Sequence, residues 1–206
     1  MPDFDFHVSA FAWVPETSRG WVKCLRPRWA FEEAGFAYRT TRLGPGEGGS
    51  DGYRAWQPFG MVPAYDDGRV RLFESGAILL RIGALSDRLR GWDDAEEATI
   101  ASWVFAALNT FETHTSRLTD GLPGAVEAVS RRLEALEAAL GDREWLVERF
   151  SVADIAMATV LREIGETAVL RRHAGVSAYL ARCLARPAFD RALQAQFADF
   201  DDSRVA

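Results

Sequence analysis

The stretch between the first strand-like run and the first helix-like run carries three side chains that could do sulfur chemistry. Thr17, Ser18 and Cys24 lie there without periodic spacing, among the proline and glycine that mark a loop. A thiolate is a nucleophile, and a hydrogen-bond donor or a helix N-terminus lowers a thiol pKa. These residue types could therefore supply or stabilise a sulfur nucleophile.

A second candidate site follows a predicted hairpin. The step Asp67-Gly68 between two apolar runs is a strong hairpin signal, and Ser75 then opens a helical pattern. A serine hydroxyl and a backbone N–H at a helix N-terminus can donate hydrogen bonds to a carboxylate, and the Glu74 carboxylate can pair with an ammonium group. Seen alone, Ser75 is better interpreted as a helix cap.

Other polar features predict structure and not catalysis. Ser151 and Asp154 have the spacing of a capping box ahead of an apolar run. The two cysteines form no CxxC pair, and His7, His114 and His173 share no metal-ligand spacing. We expect no metal site.

The elements that must position these residues fall into two groups. Apolar patterning predicts β-α-β followed by β-β-α, with strands at 5–11, 38–43, 61–65 and 69–73, a helix at 25–34 and another from Ser75. Beyond Leu85 only helical patterns occur, at 95–118, 124–140, 152–167, 176–185 and 188–197. We expect one domain over residues 1–85, a linker over 86–94 and an all-helical domain over 95–206.

Composition narrows the function classes. The chain has 206 residues, 48% of them hydrophobic and 26% charged, with a net charge of −6. This balance is typical of a water-soluble globule, and the acidity argues against nucleic acid as a partner. The first eleven residues do not resemble a secretory signal, and no apolar run reaches the roughly 20 residues of a membrane span. We expect a cytoplasmic protein.

Three motifs in register resemble the glutathione S-transferase family, in its cytosolic, bacterial-type form. They are QPFGMVPA at 57–64, DDG at 66–68 followed by LFESGAI at 72–78, and FSVADIA at 150–156. The resemblance covers both predicted domains in the family's order. It implies a thioredoxin-like N-terminal domain that binds glutathione, followed by an all-α helical bundle.

The resemblance also implies which residues hold glutathione. In this family the bond before Pro63 is cis, so that the Val62 backbone can pair with the cysteinyl unit, while Glu74 and Ser75 hold the γ-glutamyl end. Met61 departs from the lysine of many relatives. The glycyl carboxylate then needs another contact, for which the candidates are Arg19, Gln57 and Trp13.

The residue that activates the thiol stays open. Relatives use Tyr, Ser or Cys there, and no tyrosine lies between Asp5 and Phe36. If the first helix begins at Leu25, the catalytic candidate is Cys24. If it begins near Gly20, Ser18 or Arg19 approaches the thiol and Cys24 turns inward. The loop is longer than the family usually has.

The resemblance implies that the activity is conjugation of glutathione to a small hydrophobic electrophile, as in detoxification. It also implies a homodimer that requires no metal. The electrophile site is expected between the domains, near Trp13, Trp103, Phe111 and His114, although for each residue alone burial in a core is the favoured interpretation. The alternatives are a glutathione-dependent isomerase, dehalogenase or thiol reductase, the last requiring a reactive Cys24, and a non-enzymatic binding or regulatory protein on the same fold.

Overall fold

A computed structural model of the protein describes residues 4–200. The chain divides into two compact units. The first runs to Ile82 and resumes at Pro187, and the second is formed by Gly83–Arg186. The boundary therefore falls inside one helix, two turns after Ser75.

The first unit contains a four-stranded mixed sheet. Its order is β2-β1-β3-β4, with β1 and β2 parallel and the other two neighbouring pairs antiparallel. Three helices accompany the strands in the order β1-α1-β2-α2-β3-β4-α3. Their bounds are β1 Phe6–Phe11, α1 Leu25–Ala34, β2 Tyr38–Leu43, α2 Asp51–Arg54, β3 Ala64–Asp66, β4 Arg71–Phe73 and α3 Ser75–Leu85.

The core of this unit explains why the helices cover the sheet. Phe6 and Val8 in β1 are buried, as are Trp29 and Phe31 in α1 and Ile78 in α3. The rings of Phe6 and Phe31 lie 5.3 Å apart between centroids. Burying apolar side chains from both layers is what holds helices against a sheet.

Most of the predicted N-terminal elements are present. The helix at 25–34 and the strand at 38–43 are confirmed at both ends, and α3 begins at Ser75. The hairpin strands are shorter than predicted, because pairing begins only at Ala64 and Arg71. Helix α2 was not predicted, since its four residues are too few for a periodic signal.

The second unit is helical, as its patterns predict. Its helices are α4 Asp94–Phe105, α5 Glu112–Thr119, α6 Ala125–Leu140, α7 Val152–Arg162, α8 Ala168–Arg171 and α9 Ala174–Leu184. A π-helical turn at Ala106–Phe111 interrupts the predicted helix over 95–118. Helix α8 was not predicted, and α7 ends five residues before its predicted end because the chain turns after Arg162.

The capping box at the start of α7 is confirmed. Asp154 is fully buried, and its carboxylate accepts hydrogen bonds from the Ser151 N–H at 2.9 Å, the Leu146 N–H at 3.0 Å and the Tyr179 hydroxyl at 2.9 Å. The Ser151 hydroxyl accepts from the Ala153 N–H at 3.2 Å. The motif therefore holds together the loop before α7, the helix start and α9.

The last helix, α10 Pro187–Phe197, groups with the first unit, whereas the predicted helical domain included it. Its contacts with α1 give the reason. The Phe189 ring packs against Trp29 with centroids 4.8 Å apart and a tilt of 60°, and the Arg191 guanidinium pairs with Glu32 at 2.7 Å. Asp199, just beyond α10, forms an ion pair with the buried Arg28 of α1.

Candidate functional site

A cavity of about 240 Å³ in the first unit brings together most of the predicted glutathione-binding residues. It lies where the loop before β3 meets the start of α3. Its lining residues are Lys23, Gln57, Phe59, Met61, Val62, Pro63, Glu74 and Ser75. Residues far apart in the sequence thus share one small, partly polar cavity.

The Val62–Pro63 peptide bond is cis, as expected. A chain of hydrogen bonds fixes the backbone on either side of it. The Ala64 N–H donates to the Ser9 hydroxyl at 2.7 Å, and the Tyr53 hydroxyl donates to the Met61 carbonyl. Since Tyr53 has only one proton to give, the Ser9 hydroxyl donates to Tyr53 in their 2.7 Å contact.

The backbone of Val62 is open to a ligand. Among residues 4–200, neither its N–H nor its C=O has a hydrogen-bond partner, although the side chain is buried. Paired backbone groups are the rule in folded proteins, so an unpaired N–H and C=O beside a cavity indicate a binding edge for another peptide-like molecule.

Gln57 shapes the loop that ends at Val62. It is buried, and its side-chain carbonyl oxygen accepts from the Phe59 N–H at 2.7 Å and from the Met61 N–H at 3.1 Å. Both lone pairs of that oxygen are thereby used. Its contribution to the cavity is thus to hold the backbone before Val62.

Ser75 begins α3 at the cavity wall, where the first backbone N–H groups of the helix lack partners within the helix. Arg26, buried in α1, donates from its guanidinium to the Ser75 hydroxyl oxygen at 3.0 Å. The Ser75 proton is then left to donate elsewhere. Helix N-terminus, hydroxyl and nearby cation together form a site suited to a carboxylate.

Glu74 precedes the helix in the left-handed region, with φ 67°, which is uncommon for a residue other than glycine. Its exposed side chain lines the cavity. A conformation that costs energy at a site lined by polar groups is consistent with a binding role.

Two cations near the cavity were missed by sequence reasoning. Lys23, the only lysine of the chain, lines the cavity, and Arg26 lies behind Ser75. Neither belongs to the three motifs that carry the family resemblance. Arg26 lies in a helix that also contains another arginine and two glutamates, so its residue type gave no distinct signal.

Other predicted residues lie elsewhere in this unit. Trp13 lines a different cavity, the Arg19 guanidinium lies 5.4 Å from the centre of the Phe200 ring, and Ser18 ends a 3₁₀ turn at Glu16–Ser18. None of the three lines the cavity around Val62.

Cys24 precedes α1 and is 1% exposed. Its sulfur accepts a hydrogen bond from the Gln196 side-chain amide at 3.1 Å. Burial raises the pKa of the Cys24 thiol, and this effect outweighs the Arg28 guanidinium and the hydrogen bond, which both lower it. The helix start predicted for Cys24 is present, but the low pKa expected there is not.

The candidate electrophile-site residues of the second unit lie around the π-helical turn. Trp103 is half-buried in α4, Phe111 is buried at the end of the turn, and His114 is half-buried in α5. Across residues 4–200 no group of three His, Cys, Asp or Glu side chains could hold a metal ion. No helix in that range is long and apolar enough to cross a membrane.

Comparison with known proteins decides the family. Residues 110–187 match the model of the glutathione S-transferase C-terminal domain. A glutathione S-transferase of Hyoscyamus muticus is 30% identical over 162 residues, which cover 66% of this chain and 76% of that protein. This chain belongs to the glutathione S-transferase family. A second transferase, APIC of Nicotiana tabacum, is 27% identical over 170 residues, covering 69% of this chain and 78% of the relative.

Solved structures agree on the fold of this glutathione S-transferase family member. A Pseudomonas putida glutathione transferase with bound glutathione disulfide has a TM-score of 0.78 at 21% identity, covering 94% of this chain and 92% of that one. Yeast Ure2p in complex with glutathione has a TM-score of 0.77 at 20% identity, covering 94% and 95%. The predicted thioredoxin-like domain followed by a helical domain is confirmed.

Proposed function

We propose that this family member is an enzyme that binds glutathione in the cavity around Val62 and transfers its sulfur to a small hydrophobic electrophile. The observation that carries the proposal is the meeting, in one cavity, of the unpaired Val62 backbone with the Ser75 helix N-terminus. A peptide edge and a carboxylate site side by side match the cysteinyl and γ-glutamyl parts of glutathione.

The γ-glutamyl end is assigned to Ser75 and Glu74. The Ser75 hydroxyl and the first N–H groups of α3 would receive its carboxylate, with Arg26 adding positive charge from behind. Glu74, at the same wall, would pair with its ammonium group. Family membership and the glutathione-bound neighbours support this assignment.

The glycyl carboxylate is assigned to Lys23. Met61 lines the cavity without a charge, whereas Lys23 lines it with an exposed ammonium group. Replacing Lys23 with Met should weaken glutathione binding about fivefold to tenfold, and Lys23→Arg should retain most of it. Calorimetry on both variants tests this, and equal affinities for wild type and Lys23→Met would contradict it.

Thiol activation is assigned to Ser18, because Cys24 is buried with a raised pKa. Ser18→Ala should raise the pKa of the thiol of bound glutathione, which the ultraviolet absorbance of the thiolate measures. It should also lower kcat for a dinitro-substituted aryl chloride. Thr17→Ala, at the exposed neighbouring position, is the control and should change neither. An unchanged thiol pKa in Ser18→Ala would reject the assignment.

The position of Ser18 outside the cavity lining favours one second candidate, a non-enzymatic glutathione-binding protein. Such a protein would bind glutathione through Val62 and Ser75 without lowering the thiol pKa. Bound glutathione with an ordinary thiol pKa and no turnover of any tested electrophile would establish it.

Family membership also supports a cytoplasmic location and a homodimer as proposals. Size-exclusion chromatography with light scattering tests whether the protein is a homodimer.

A further inference from the structure

A serine, a histidine and a glutamate meet in the second unit, where α6 lies beside the start of α9. Ser130 and Glu137 belong to α6, and His173 directly precedes α9. The Ser130 hydroxyl oxygen lies 3.4 Å from His173 Nε2, and a Glu137 carboxylate oxygen lies 3.3 Å from His173 Nδ1. The imidazole therefore contacts a hydroxyl on one ring nitrogen and a carboxylate on the other.

Two helices hold this cluster in place. Ser130 and Glu137 are about two helical turns apart, so their side chains project from the same face of α6. His173 is buried, whereas Ser130 and Glu137 are half-buried. The second carboxylate oxygen of Glu137 accepts from the Gly175 N–H at 2.7 Å, in the first turn of α9. Glu137 thus orients the imidazole while α9 fixes Glu137.

The contacts determine where the protons of the cluster lie. A carboxylate only accepts hydrogen bonds, so the proton between His173 and Glu137 belongs to His173 Nδ1. In the neutral imidazole, the lone pair on Nε2 then faces Ser130, whose hydroxyl donates to it. Among residues 4–200, His173 is the one hydrogen-bond partner of the Ser130 hydroxyl.

This contact is unusual for a serine within a helix. Such a hydroxyl commonly bonds a carbonyl of the preceding turn, as Ser102 does by donating to the Ala98 carbonyl at 2.9 Å. The Ser130 hydroxyl points instead to an imidazole that a carboxylate orients. A serine with an oriented base is an activated nucleophile, and before substrate binds the serine–base contact is often longer than an ordinary hydrogen bond.

We propose that Ser130, His173 and Glu137 form a hydrolytic site for small carboxylic esters with a good leaving group, such as phenyl esters. The acyl group must be small because Ser130 is half-buried. Ser130 is the nucleophile and His173 the base, whereas Glu137 touches no substrate and is a positioning residue.

The reaction needs only the ester and water. The Ser130 oxygen attacks the ester carbonyl carbon while His173 Nε2 takes the serine proton, and that proton passes to the phenolate as the bond between carbonyl carbon and phenolic oxygen breaks. Water then attacks the acyl-serine and gives a proton to His173. The carboxylic acid leaves as His173 returns the proton to the Ser130 oxygen.

A fluorophosphonate tests the nucleophile in the native protein without glutathione. The serine oxygen should displace fluoride from phosphorus, so mass spectrometry should find the adduct on Ser130. Ser102, an exposed helical serine that donates to a backbone carbonyl, should stay unlabelled in the same sample. His173→Gln should slow labelling of Ser130 at least about tenfold. Wild-type protein without an adduct on Ser130, or equal labelling in His173→Gln, would overturn the proposal.

Hydrolysis of para-nitrophenyl acetate, again without glutathione, measures the complete reaction. Ser130→Ala should lower the rate at least about tenfold, and the control Ser102→Ala should leave it unchanged. Circular dichroism shows whether each variant is folded. Equal rates for wild type and folded Ser130→Ala would contradict a hydrolytic site.

Glu137→Gln tests the positioning role. An amide has a single oxygen, and if the Gly175 N–H keeps that oxygen, the amide NH₂ faces His173 Nδ1 and places the imidazole proton on Nε2. Nitrogen NMR of His173 should show this change of tautomer, and the ester rate should fall at least about tenfold. Glu134→Gln, at an exposed position of α6, should change neither. A wild-type tautomer and rate in Glu137→Gln would overturn the proposed arrangement.

None of these measurements involves glutathione. Failure of glutathione binding would therefore reject the proposed function and leave the ester site standing, and an inert Ser130 would leave the proposed function untouched.

Discussion

The guanidinium of Arg26 donates a 3.0 Å hydrogen bond to the hydroxyl of Ser75, 49 residues away in the sequence. Both side chains are nearly completely buried, so this contact joins α1 to the start of α3 in the interior of the first unit. It leaves the serine proton free to meet a ligand and places a positive charge behind it. The proposed carboxylate site thus depends on two helices and not on the Ser75 motif alone.

Replacing Arg26 with Met should therefore weaken glutathione binding about tenfold, because the site loses its supporting cation. Arg26→Lys keeps the charge and should recover part of the affinity. Calorimetry gives the affinities, and thermal unfolding reports whether each variant is folded. A folded Arg26→Met protein with wild-type affinity would show that Ser75 acts without this support.

Neither cysteine should react in the native protein. Cys24 and Cys183 are buried, and burial raises the pKa of each thiol. A thiol-disulfide indicator should label no cysteine at neutral pH in native buffer and both in denaturant. Cys24→Ala should retain conjugating activity within about twofold, since a buried thiol is a small hydrophobe. Rapid labelling of Cys24, or its trapping as a mixed disulfide with glutathione, would instead support a thiol reductase.

The Asp67–Arg81 ion pair should make the first unit sensitive to acid. Burial raises the pKa of Asp67, but hydrogen bonds from the Val70 and Arg69 amides and from Arg81 outweigh it, so the pKa is lowered. Because the pKa of Asp67 is lower in the folded state, ionised Asp67 stabilises the fold at pH values above its unfolded pKa of roughly 3.9. This stabilisation is lost as the pH falls through the folded pKa.

Asp67→Asn should accordingly lower the free energy of unfolding by about 2–4 kcal/mol at neutral pH and flatten its decline below about pH 4. Urea unfolding at a series of pH values measures both effects. Asp87→Asn, in an exposed ion pair with Arg90, is the matched control and should cost less than about 0.5 kcal/mol. Parallel pH profiles for wild type and Asp67→Asn would refute the argument.

The buried capping box should contribute more to stability than an exposed helix cap. Asp154→Ala removes the acceptor of the Ser151, Leu146 and Tyr179 donors and should cost about 3–5 kcal/mol. Asp93 caps α4 at the surface by accepting from the Glu96 N–H, so Asp93→Ala should cost about 1 kcal/mol. Equal losses in urea unfolding would show that burial of the motif adds nothing.

Local signals account for the elements that the sequence predicted well. The helix at 25–34 ends at Gly35, which adopts φ 73°, and Asp67-Gly68 forms the hairpin turn. A few adjacent residues therefore determine each boundary. The capping box at Ser151 is local in the same way. The glutathione-site candidates Val62 and Ser75 came from motifs of the same short-range kind.

What the sequence did not predict depends on residues that are distant along the chain. The buried Cys24 sulfur accepts a hydrogen bond from Gln196, which lies 172 residues away in the sequence. Arg26 contacts Ser75 because α1 lies beside the start of α3, and Lys23, just before α1, lines the cavity with the loop before β3. The spacing of residues along the sequence does not predict these contacts, so neither cation could be assigned to the site from the sequence.

Ser75 and the neighbouring Val62 backbone are proposed to bind glutathione. Calorimetric titration of wild type and Ser75→Ala with glutathione near neutral pH tests it most directly, with Ser86→Ala as the control at a buried serine outside the cavity. Wild type and Ser86→Ala should bind equally, and folded Ser75→Ala should bind at least about tenfold more weakly. Wild-type affinity in Ser75→Ala, or no binding to wild type at millimolar glutathione, would contradict the account.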